Sequence, residues 1–394
     1  MIAAAPKAFR GIVVLTCAFA GWLSYRQLRA DQLFRQDNVP SLEHAIHLSP
    51  DDARYYIRLA QLDEGHSAGL LETALRVAPF NSPAAIELGL RAELAGNYTL
   101  AEKHLLYAFD IDRTYTPRWT LANFYLRRGT WPLFWRWARS AAEMPADNIS
   151  GLLQLCWRIN PDADYIARAL LNSNPSTTRQ YLAFLLSKNE VTAAAGVASQ
   201  LIAHGDPLND RALLLSLLDH FILRNDGATA TNLWHALIAH RWIVADPSFP
   251  NNAAFAREPL PGGFDWRLPS IDGVHTSTGP SGLEVEFSGK QAEATMIAEQ
   301  TVPLAAGSYD FVCRYRTADI PPGSGLHWSV SAGDLVKSLE LSSDGLTEQR
   351  LPFMLTGEPS LVRLQLTYTR VLGTARVSGI LVTSSVAIRK ISLP

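Results

Sequence analysis

Few side chains in this sequence are placed to do chemistry, and one pair has the spacing of metal ligands. His44 and His47 stand three residues apart, so on a helix both imidazoles would face one side and could share a metal ion. No third ligand accompanies them nearby, and an exposed helix face explains the pair better. Asp51 and Asp52 precede a helical stretch, where they are expected to cap the helix and favour its dipole.

Motifs of known catalytic chemistry are also missing. The sequence contains no Gly-rich phosphate loop, no Gly-x-Ser-x-Gly elbow and no His-Glu-x-x-His pair. Its three cysteines, Cys17, Cys156 and Cys313, are too few for a disulfide framework or a four-cysteine metal site. We therefore expect a protein that is not an enzyme, with no catalytic, cofactor-binding or metal-binding residues and no cofactor. An active site assembled from scattered residues is the alternative.

Composition indicates a folded chain of two or three domains that does not bind nucleic acid. The 394 residues carry 35 Lys and Arg against 37 Asp and Glu, which gives a net charge of −2. The balance is local as well, with 23 basic and 23 acidic residues up to position 255 and 12 and 14 after it. Neither part has the positive excess typical of a nucleic-acid-binding protein. A hydrophobic content of 47% excludes a disordered chain.

The first 37 residues have the pattern of an export signal or a membrane anchor. Lys7 and Arg10 precede an apolar run over residues 11–23. This run spans only about 20 Å as a helix, which favours a cleavable signal peptide. Trp22 and Tyr25 lie where an interfacial aromatic belt would be, which favours a retained helix. We expect a single-pass anchor in a bacterial inner membrane with the bulk of the chain in the periplasm; a cleaved periplasmic or secreted protein is the alternative.

Residues 38–245 carry an internal repeat. Ala74, Ala108 and Ala142 recur at intervals of 34 residues, and Pro79 follows the first of them by five residues. This spacing of paired helices resembles the tetratricopeptide repeat (TPR) family, whose repeats have a proline after the second helix. The resemblance implies an α-solenoid of helix hairpins with a concave surface that binds partner proteins.

The helical pattern continues past residue 145, where apolar residues recur three and four apart. Six further helices are predicted there: Asn148–Ile159, Asp162–Asn172, Ser176–Ser187, Val191–His204, Asp210–Arg224 and Ala228–Ile243. Small residues such as Gly89 are expected where the two helices of one hairpin cross closely.

One predicted helix of the repeat region is aromatic on more than one side, so a single hairpin cannot bury all of its rings. Its candidate partner-contact residues are Trp131, Trp135, Trp137, Arg136 and Arg139. Packing between successive hairpins is the alternative explanation of these side chains.

After residue 245 the composition changes to that of a β-domain. A Pro- and Gly-rich linker is predicted over 246–262, followed by an antiparallel β-sandwich over 263–394. Apolar and polar residues alternate strictly in several stretches, which predicts eight or nine short strands with one face on a core. The segment Phe264–Trp266 is predicted to start the first strand, and Trp328 to face the core.

The stretch from Gly307 to Trp328 resembles the jelly-roll modules of carbohydrate-binding and galactose-binding-like proteins. The resemblance implies glycan contacts on a sheet face or at the loop ends. The candidate contacts are Arg314, Arg316, His327 and Arg363, for which an ordinary solvated face is the alternative.

Together these patterns predict an envelope-anchored scaffold of mixed α and β structure. Its repeats would bind other envelope proteins, in a role resembling that of TPR proteins in exopolysaccharide or O-antigen assembly and export. A secreted carbohydrate-binding protein with the repeats as a spacer is the alternative function.

Overall fold

The computed structural model describes residues 7–63, 65–144, 148–171, 174–341 and 345–391, with side chains from residue 12 onward. This description leaves out the first six residues of the predicted N-terminal segment and the side chains of Lys7 and Arg10. It also leaves out Asn172, the predicted end of a helix. The chain divides into two compact units, Met1–Pro161 with Arg168–Asn172, and Asp162–Ala167 with Ser173–Pro394. The second unit contains both helices and sheets, so it spans the predicted linker.

Fourteen helices are found in the described part of the chain, and most of them pack as hairpins of consecutive helices. They are α1 (Lys7–Phe34), α2 (Val39–Leu48), α3 (Ala53–Leu62), α4 (Ser67–Val77), α5 (Ser82–Leu94), α6 (Tyr98–Ile111), α7 (Tyr115–Arg127), α8 (Trp131–Ala142), α9 (Ser150–Ile159), α10 (Ala163–Leu170), α11 (Pro175–Ser187), α12 (Val191–His204), α13 (Pro207–Leu223) and α14 (Gly227–Ala239). The hairpins are α1/α2, α3/α4, α5/α6 and α7/α8 in the first unit, and α11/α12 and α13/α14 in the second.

Side-chain caps fix where many of these helices begin. An Asn or Asp oxygen accepts a hydrogen bond from a backbone N–H of the first turn, which would otherwise lack a partner. The capping residues are Asn38, Asp52, Asn81, Asn97, Asn174, Asp206 and Asp226. The predicted capping role of Asp52 is therefore confirmed.

The 34-residue repeat is a packing repeat. Ala74, Ala108 and Ala142 are fully buried near the ends of α4, α6 and α8, the second helices of three successive hairpins. Pro79 lies two residues beyond the end of α4, as the repeat pattern predicts. The helical repeat expected from the sequence is thus confirmed.

Gly89 lies where the two helices of the α5/α6 hairpin pack closely. A Cβ atom there would lie 2.6 Å from Cδ2 and 2.7 Å from Cγ of Leu105, and 3.2 Å from the carbonyl oxygen of Ala101. Both neighbours belong to α6, and Leu105 is itself buried. The predicted need for a small residue at this crossing is confirmed.

Helix α1 continues without a break from the apolar segment into the first hairpin. Its last turns pack on α3, where the hydroxyl of Tyr55 donates a hydrogen bond of 2.8 Å to Asp31 and Ala30 is fully buried. The large apolar side chains between Ile12 and Leu23 are exposed. Among the residues that the structure describes, no helix combines the length and the apolar composition needed to cross a membrane.

Nine described strands form two antiparallel sheets. They are β1 (Val274–Gly279), β2 (Gly282–Ser288), β3 (Ala294–Leu304), β4 (Gly307–Ala318), β5 (Leu326–Ala332), β6 (Leu335–Glu340), β7 (Thr347–Leu355), β8 (Ser360–Thr369) and β9 (Ser378–Lys390). The strand order is β1-β2-β9-β4-β7 in the five-stranded sheet and β3-β8-β5-β6 in the four-stranded sheet. Both sheets contribute to one hydrophobic core, and we call this assembly the sandwich.

The predicted alternation sets the two faces of each strand. In β4, Tyr309, Phe311 and Cys313 face the core, and in β5 the ring of Trp328 is fully buried, as predicted. Phe264–Trp266 does not start a strand, however, because its backbone makes no ladder. Only the next residue, Arg267, pairs with Glu299 of β3, as an isolated bridge.

Residues 246–267, which we call the connecting segment, have no regular secondary structure but are well packed. Phe255 and Trp266 are buried in the sandwich core with ring centroids 4.7 Å apart, and Trp266 contacts Trp328 edge-on at 5.8 Å. Phe264 contacts Trp234 of α14 edge-on at 5.9 Å. The segment therefore packs at one point on the α13/α14 hairpin through Phe264 and at another in the sandwich core through Phe255 and Trp266.

We expect Gly89→Ala to destabilise the protein by about 1–3 kcal/mol, because the added methyl group overlaps Leu105 and forces the two helices apart. Gly196→Ala in α12 is the matched control, since a Cβ there meets no atom within 4 Å. Its expected effect has the opposite sign, a gain of up to about 1 kcal/mol from helix propensity. Chemical denaturation of the full chain measures both, and equal effects of the two variants would contradict a close crossing at Gly89.

Candidate functional site

Trp137 of α8, one of the predicted partner-contact residues, is buried and does not lie at the surface. Trp137 is 7% exposed, and its ring meets Phe109 of α6 edge-on with centroids 4.7 Å apart. The guanidinium of Arg113 lies 4.1 Å from the centre of the Phe109 ring, and that of Arg118 lies 5.1 Å from it. Trp137 is therefore part of the packing between successive hairpins.

The other predicted contacts of α8 divide between packing and surface. Arg139 donates hydrogen bonds of 2.6 and 2.8 Å to the backbone carbonyls of Ala169 and Arg168, so it holds the end of α10. Trp135 is half-buried with its ring edge-on to Phe134. Trp131 and Arg136 remain exposed, Trp131 at 49%.

Two further exposed side chains lie near Trp131 in the sequence repeat and were not predicted as contact residues from the sequence. Tyr98 is the first residue of α6, as Trp131 is the first residue of α8, and it is 41% exposed. The guanidinium of Arg128, the C-cap of α7, lies 3.5 Å from the centre of the Tyr98 ring. The 33-residue spacing of Tyr98 and Trp131 is the sequence signal that would have identified the pair. We call Tyr98, Arg128 and Trp131 the aromatic surface.

The four predicted glycan-contact residues lie on opposite outer faces of the sandwich. Arg314 and Arg316 alternate with the buried residues of β4 and therefore project from the five-stranded sheet. His327 and Arg363 project from the four-stranded sheet, on β5 and β8. Because the core separates the two faces, these residues cannot bind one ligand together.

On the five-stranded sheet, the arginines surround a carboxylate. Nε of Arg314 donates a hydrogen bond of 2.8 Å to Glu348, and Arg350 donates another of 3.1 Å to the same side chain. These bonds, first that of Arg314 and then that of Arg350, lower the pKa of Glu348 below its ordinary value. The Arg314 side chain is thus already paired with Glu348 of the same sheet.

The outer face of the four-stranded sheet carries polar side chains that are already ordered. The amide of Gln365 donates a hydrogen bond of 2.7 Å to Glu299, and Nε of Arg363 lies 3.8 Å from the same carboxylate. The hydroxyl of Thr367 lies 2.8 Å from Nε2 of His327. A ligand on this face would meet side chains that need little reorganisation to bind it.

A cleft of about 490 Å³ opens where α13 faces this sheet. Arg363 and Glu299 line it from the sheet, and Asp219 and Leu223 from the helix. Arg267 crosses the cleft and donates a hydrogen bond of 2.7 Å to Asp219. Its volume is in the range of small-molecule sites, so a small ligand could fit in this cleft.

The remaining chemical candidates are structural in their surroundings. His44 and His47 lie on an exposed face of α2, as expected. Within the described ranges, no three His, Cys, Asp or Glu side chains are grouped closely enough to hold a metal ion. Cys156 and Cys313 are buried, and desolvation raises the pKa of each thiol to about 12.

Comparison with known proteins gives structural similarity only. No family model matches the chain, and no curated protein matches its sequence. Similar solved structures include YrrB, described as a TPR protein with an unusual peptide-binding site, at 13% identity and a TM-score of 0.24, covering 51% of this chain and 92% of that one. Yeast Tom70 is similar at 19% identity and a TM-score of 0.28, covering 55% of this chain and 44% of its own length.

A third similar structure is that of pilF from Pseudomonas aeruginosa, at 15% identity and a TM-score of 0.25, covering 56% of this chain and 92% of that one. The chain thus spans less than half the length of Tom70 but most of YrrB and pilF. At these identities and TM-scores the similarity is limited to the helical part of the fold.

We expect the two tryptophans of α8 to differ sharply in their effect on stability. Trp137→Ala should cost about 3–5 kcal/mol because it leaves a cavity beside Phe109. Trp131→Ala should change the free energy of unfolding by less than about 0.5 kcal/mol, since this side chain is half-exposed at a helix start. Denaturant titration of both variants checks this, and a large loss for Trp131→Ala would place it in the packing instead.

We also expect the native protein to react with iodoacetamide only at Cys17, which is exposed on α1. Cys156 and Cys313 are shielded and remain protonated at pH 8, so they should react only after unfolding. Peptide mass spectrometry before and after denaturation measures this. Rapid native labelling of Cys313 would mean that the sandwich opens.

Proposed function

We propose that this chain is a non-enzymatic scaffold whose helical hairpins bind partner proteins. The observation that carries the proposal is the aromatic surface, where Tyr98 and Trp131 are exposed at equivalent positions of two successive hairpins. Tyr, Trp and Arg are the residues that most often dominate the binding energy of protein interfaces. The guanidinium of Arg128 stacks on the Tyr98 ring and adds a positive charge to this surface.

We further propose that this scaffold acts in a bacterial cell envelope, in the assembly or export of exopolysaccharide or O-antigen. Support comes from the signal-like N-terminal sequence and from the exposed apolar side chains of α1 between Ile12 and Leu23. Cell fractionation with an antibody to the C-terminal region tests the location. Full-length protein in the cytosol would contradict it.

The partner-binding proposal predicts that Tyr98→Ser combined with Trp131→Ser abolishes capture of partner proteins. The tagged full chain is cross-linked in its own cells, and the proteins that co-purify are quantified by mass spectrometry. We expect at least a tenfold loss of specific partners with the double variant. Leu94→Ser is the control, because Leu94 is an apolar residue at the end of α5 that is even more exposed, at 88%, but lies outside the aromatic surface. Unchanged capture by the double variant would refute the role of this surface.

A carbohydrate-binding function of the sandwich is the second candidate, with the helices as a spacer. The interleaved order β2-β9-β4-β7 and β3-β8-β5-β6 supports the jelly-roll resemblance. The observation in its favour is the polar cleft beside Arg363. Fold resemblance alone does not specify a ligand.

The two faces allow a direct test of this second function. If the cleft binds a glycan, Arg363→Ala should remove binding on a glycan array, whereas Arg314→Ala on the opposite face should not. Loss with Arg314→Ala alone would move the site to the five-stranded sheet. No glycan bound by the full chain would exclude the function.

A further inference from the structure

The four edges of the two sheets are protected unequally. A sheet edge exposes unpaired N–H and C=O groups, and proteins cover it or place charges and proline on it to prevent further pairing. Edge strand β3 is covered by the backbone of Arg267, which exchanges hydrogen bonds of 2.7 and 3.0 Å with Glu299. Edge strand β7 carries Pro352 with two charged residues, and β6 carries Lys337 and Glu340.

Strand β1 is the exception among these edges. Its sequence, Val-His-Thr-Ser-Thr-Gly, contains no proline, lysine, arginine, aspartate or glutamate. Among the described residues the strand pairs with β2 in the five-stranded sheet, and on its other side only Val274 has a backbone partner, in an isolated bridge with Ile271. Nothing in its composition prevents a further strand from pairing with its free side.

The register shows which groups are available there. Gly279 pairs with Gly282 across a two-residue turn, so this pair and every second pair after it exchange hydrogen bonds. Thr276 and Thr278 fall between those pairs, and their N–H and C=O groups therefore point away from β2. Among the hydrogen bonds of the described residues, none uses these backbone groups.

These groups face a groove of about 660 Å³. Thr276, Ser277 and Thr278 line one side, and the opposite side is formed by residues 256–261 of the connecting segment with Leu268. The groove is also lined by Arg257 and Arg267, whose guanidinium groups are paired with Asp246 and Asp219, and by the exposed Glu258. A second copy of this chain would bring its own β1, which carries no lysine or arginine, so a basic peptide segment suits this edge better.

The neighbouring strand indicates what charge such a segment would carry. Glu284 and Glu286 are exposed on the outer face of β2, directly opposite Ser277 and His275 of β1. A strand added to β1 would lie about 9.6 Å from β2, a distance that a lysine or arginine side chain can cover above the small Ser277. On the inner face the groove offers Leu260 and Leu268 instead.

We propose that β1 is a docking edge at which an extended segment of a partner protein, alternating basic and apolar side chains, adds a strand to the five-stranded sheet. Backbone hydrogen bonds to Thr276 and Thr278 supply the pairing, and the alternate side chains supply specificity. The site lies on the sandwich and does not depend on the aromatic surface of the helices.

Selection of a displayed library of 12-residue peptides on the full chain tests the proposal. We expect enriched peptides to alternate Lys or Arg with apolar residues. Thr276→Pro should weaken their binding at least tenfold, because it removes an outward N–H without breaking the ladder to β2. Thr276→Val, which keeps that N–H, should bind within about twofold of the native chain. Glu284→Gln combined with Glu286→Gln should weaken binding several-fold, and less so at high salt.

Hydrogen–deuterium exchange of the native chain decides the matter even if Thr276→Pro does not fold. Bound peptide should slow exchange of the amides over residues 274–279 and leave the β7 edge unchanged. Failure to enrich any peptide, equal binding by Thr276→Pro, or unchanged exchange in β1 would overturn the proposal. A dimer that Thr276→Pro dissociates would also overturn it, since the occupant would then be a second copy.

Discussion

The second unit depends on one constraint: a buried segment without helix or strand must still provide partners for its backbone polar groups. In the connecting segment, side chains do this work. The carboxylate of Asp265, 2% exposed, accepts hydrogen bonds from the N–H groups of Leu260 and Trp266 at 3.0 and 2.8 Å. The amide of Gln300 donates a bond of 2.8 Å to the Asn251 carbonyl. Desolvation raises the pKa of Asp265, and the two backbone hydrogen bonds act in the opposite direction by stabilising the carboxylate.

Satisfying that constraint also decides where a ligand can bind on the sandwich. The same segment lets Arg267 cover the β3 edge and reach Asp219, which closes one side of the cleft beside Arg363. Its residues 256–261 stand opposite β1 but do not pair with it, so they leave a groove instead of a closed edge. The connecting segment therefore covers the edge of β3 but leaves the edge of β1 unpaired over Thr276 and Thr278.

In the helical hairpins the corresponding constraint is the distance between helices. Gly89 allows α5 to approach Leu105 of α6. The fully buried alanines of α4, α6 and α8 likewise place one small side chain in the packing of each hairpin. Rings that do not fit within a hairpin must either fill the space between hairpins or remain outside. Trp137 fills such a space against Phe109, whereas Trp131 and Tyr98 remain outside and form a surface.

The sequence alone determined the local features: the helical repeat, the helix caps, the strand alternation and the buried position of Trp328. These follow from periodicity and from contacts close in sequence, which single residues and their neighbours encode. Tertiary structure decided which face each candidate occupies. Arg314 and Arg363 look alike in the sequence, yet the order of the strands puts them on opposite faces. The open edge of β1 also depends on pairing between distant segments, which no local pattern reveals.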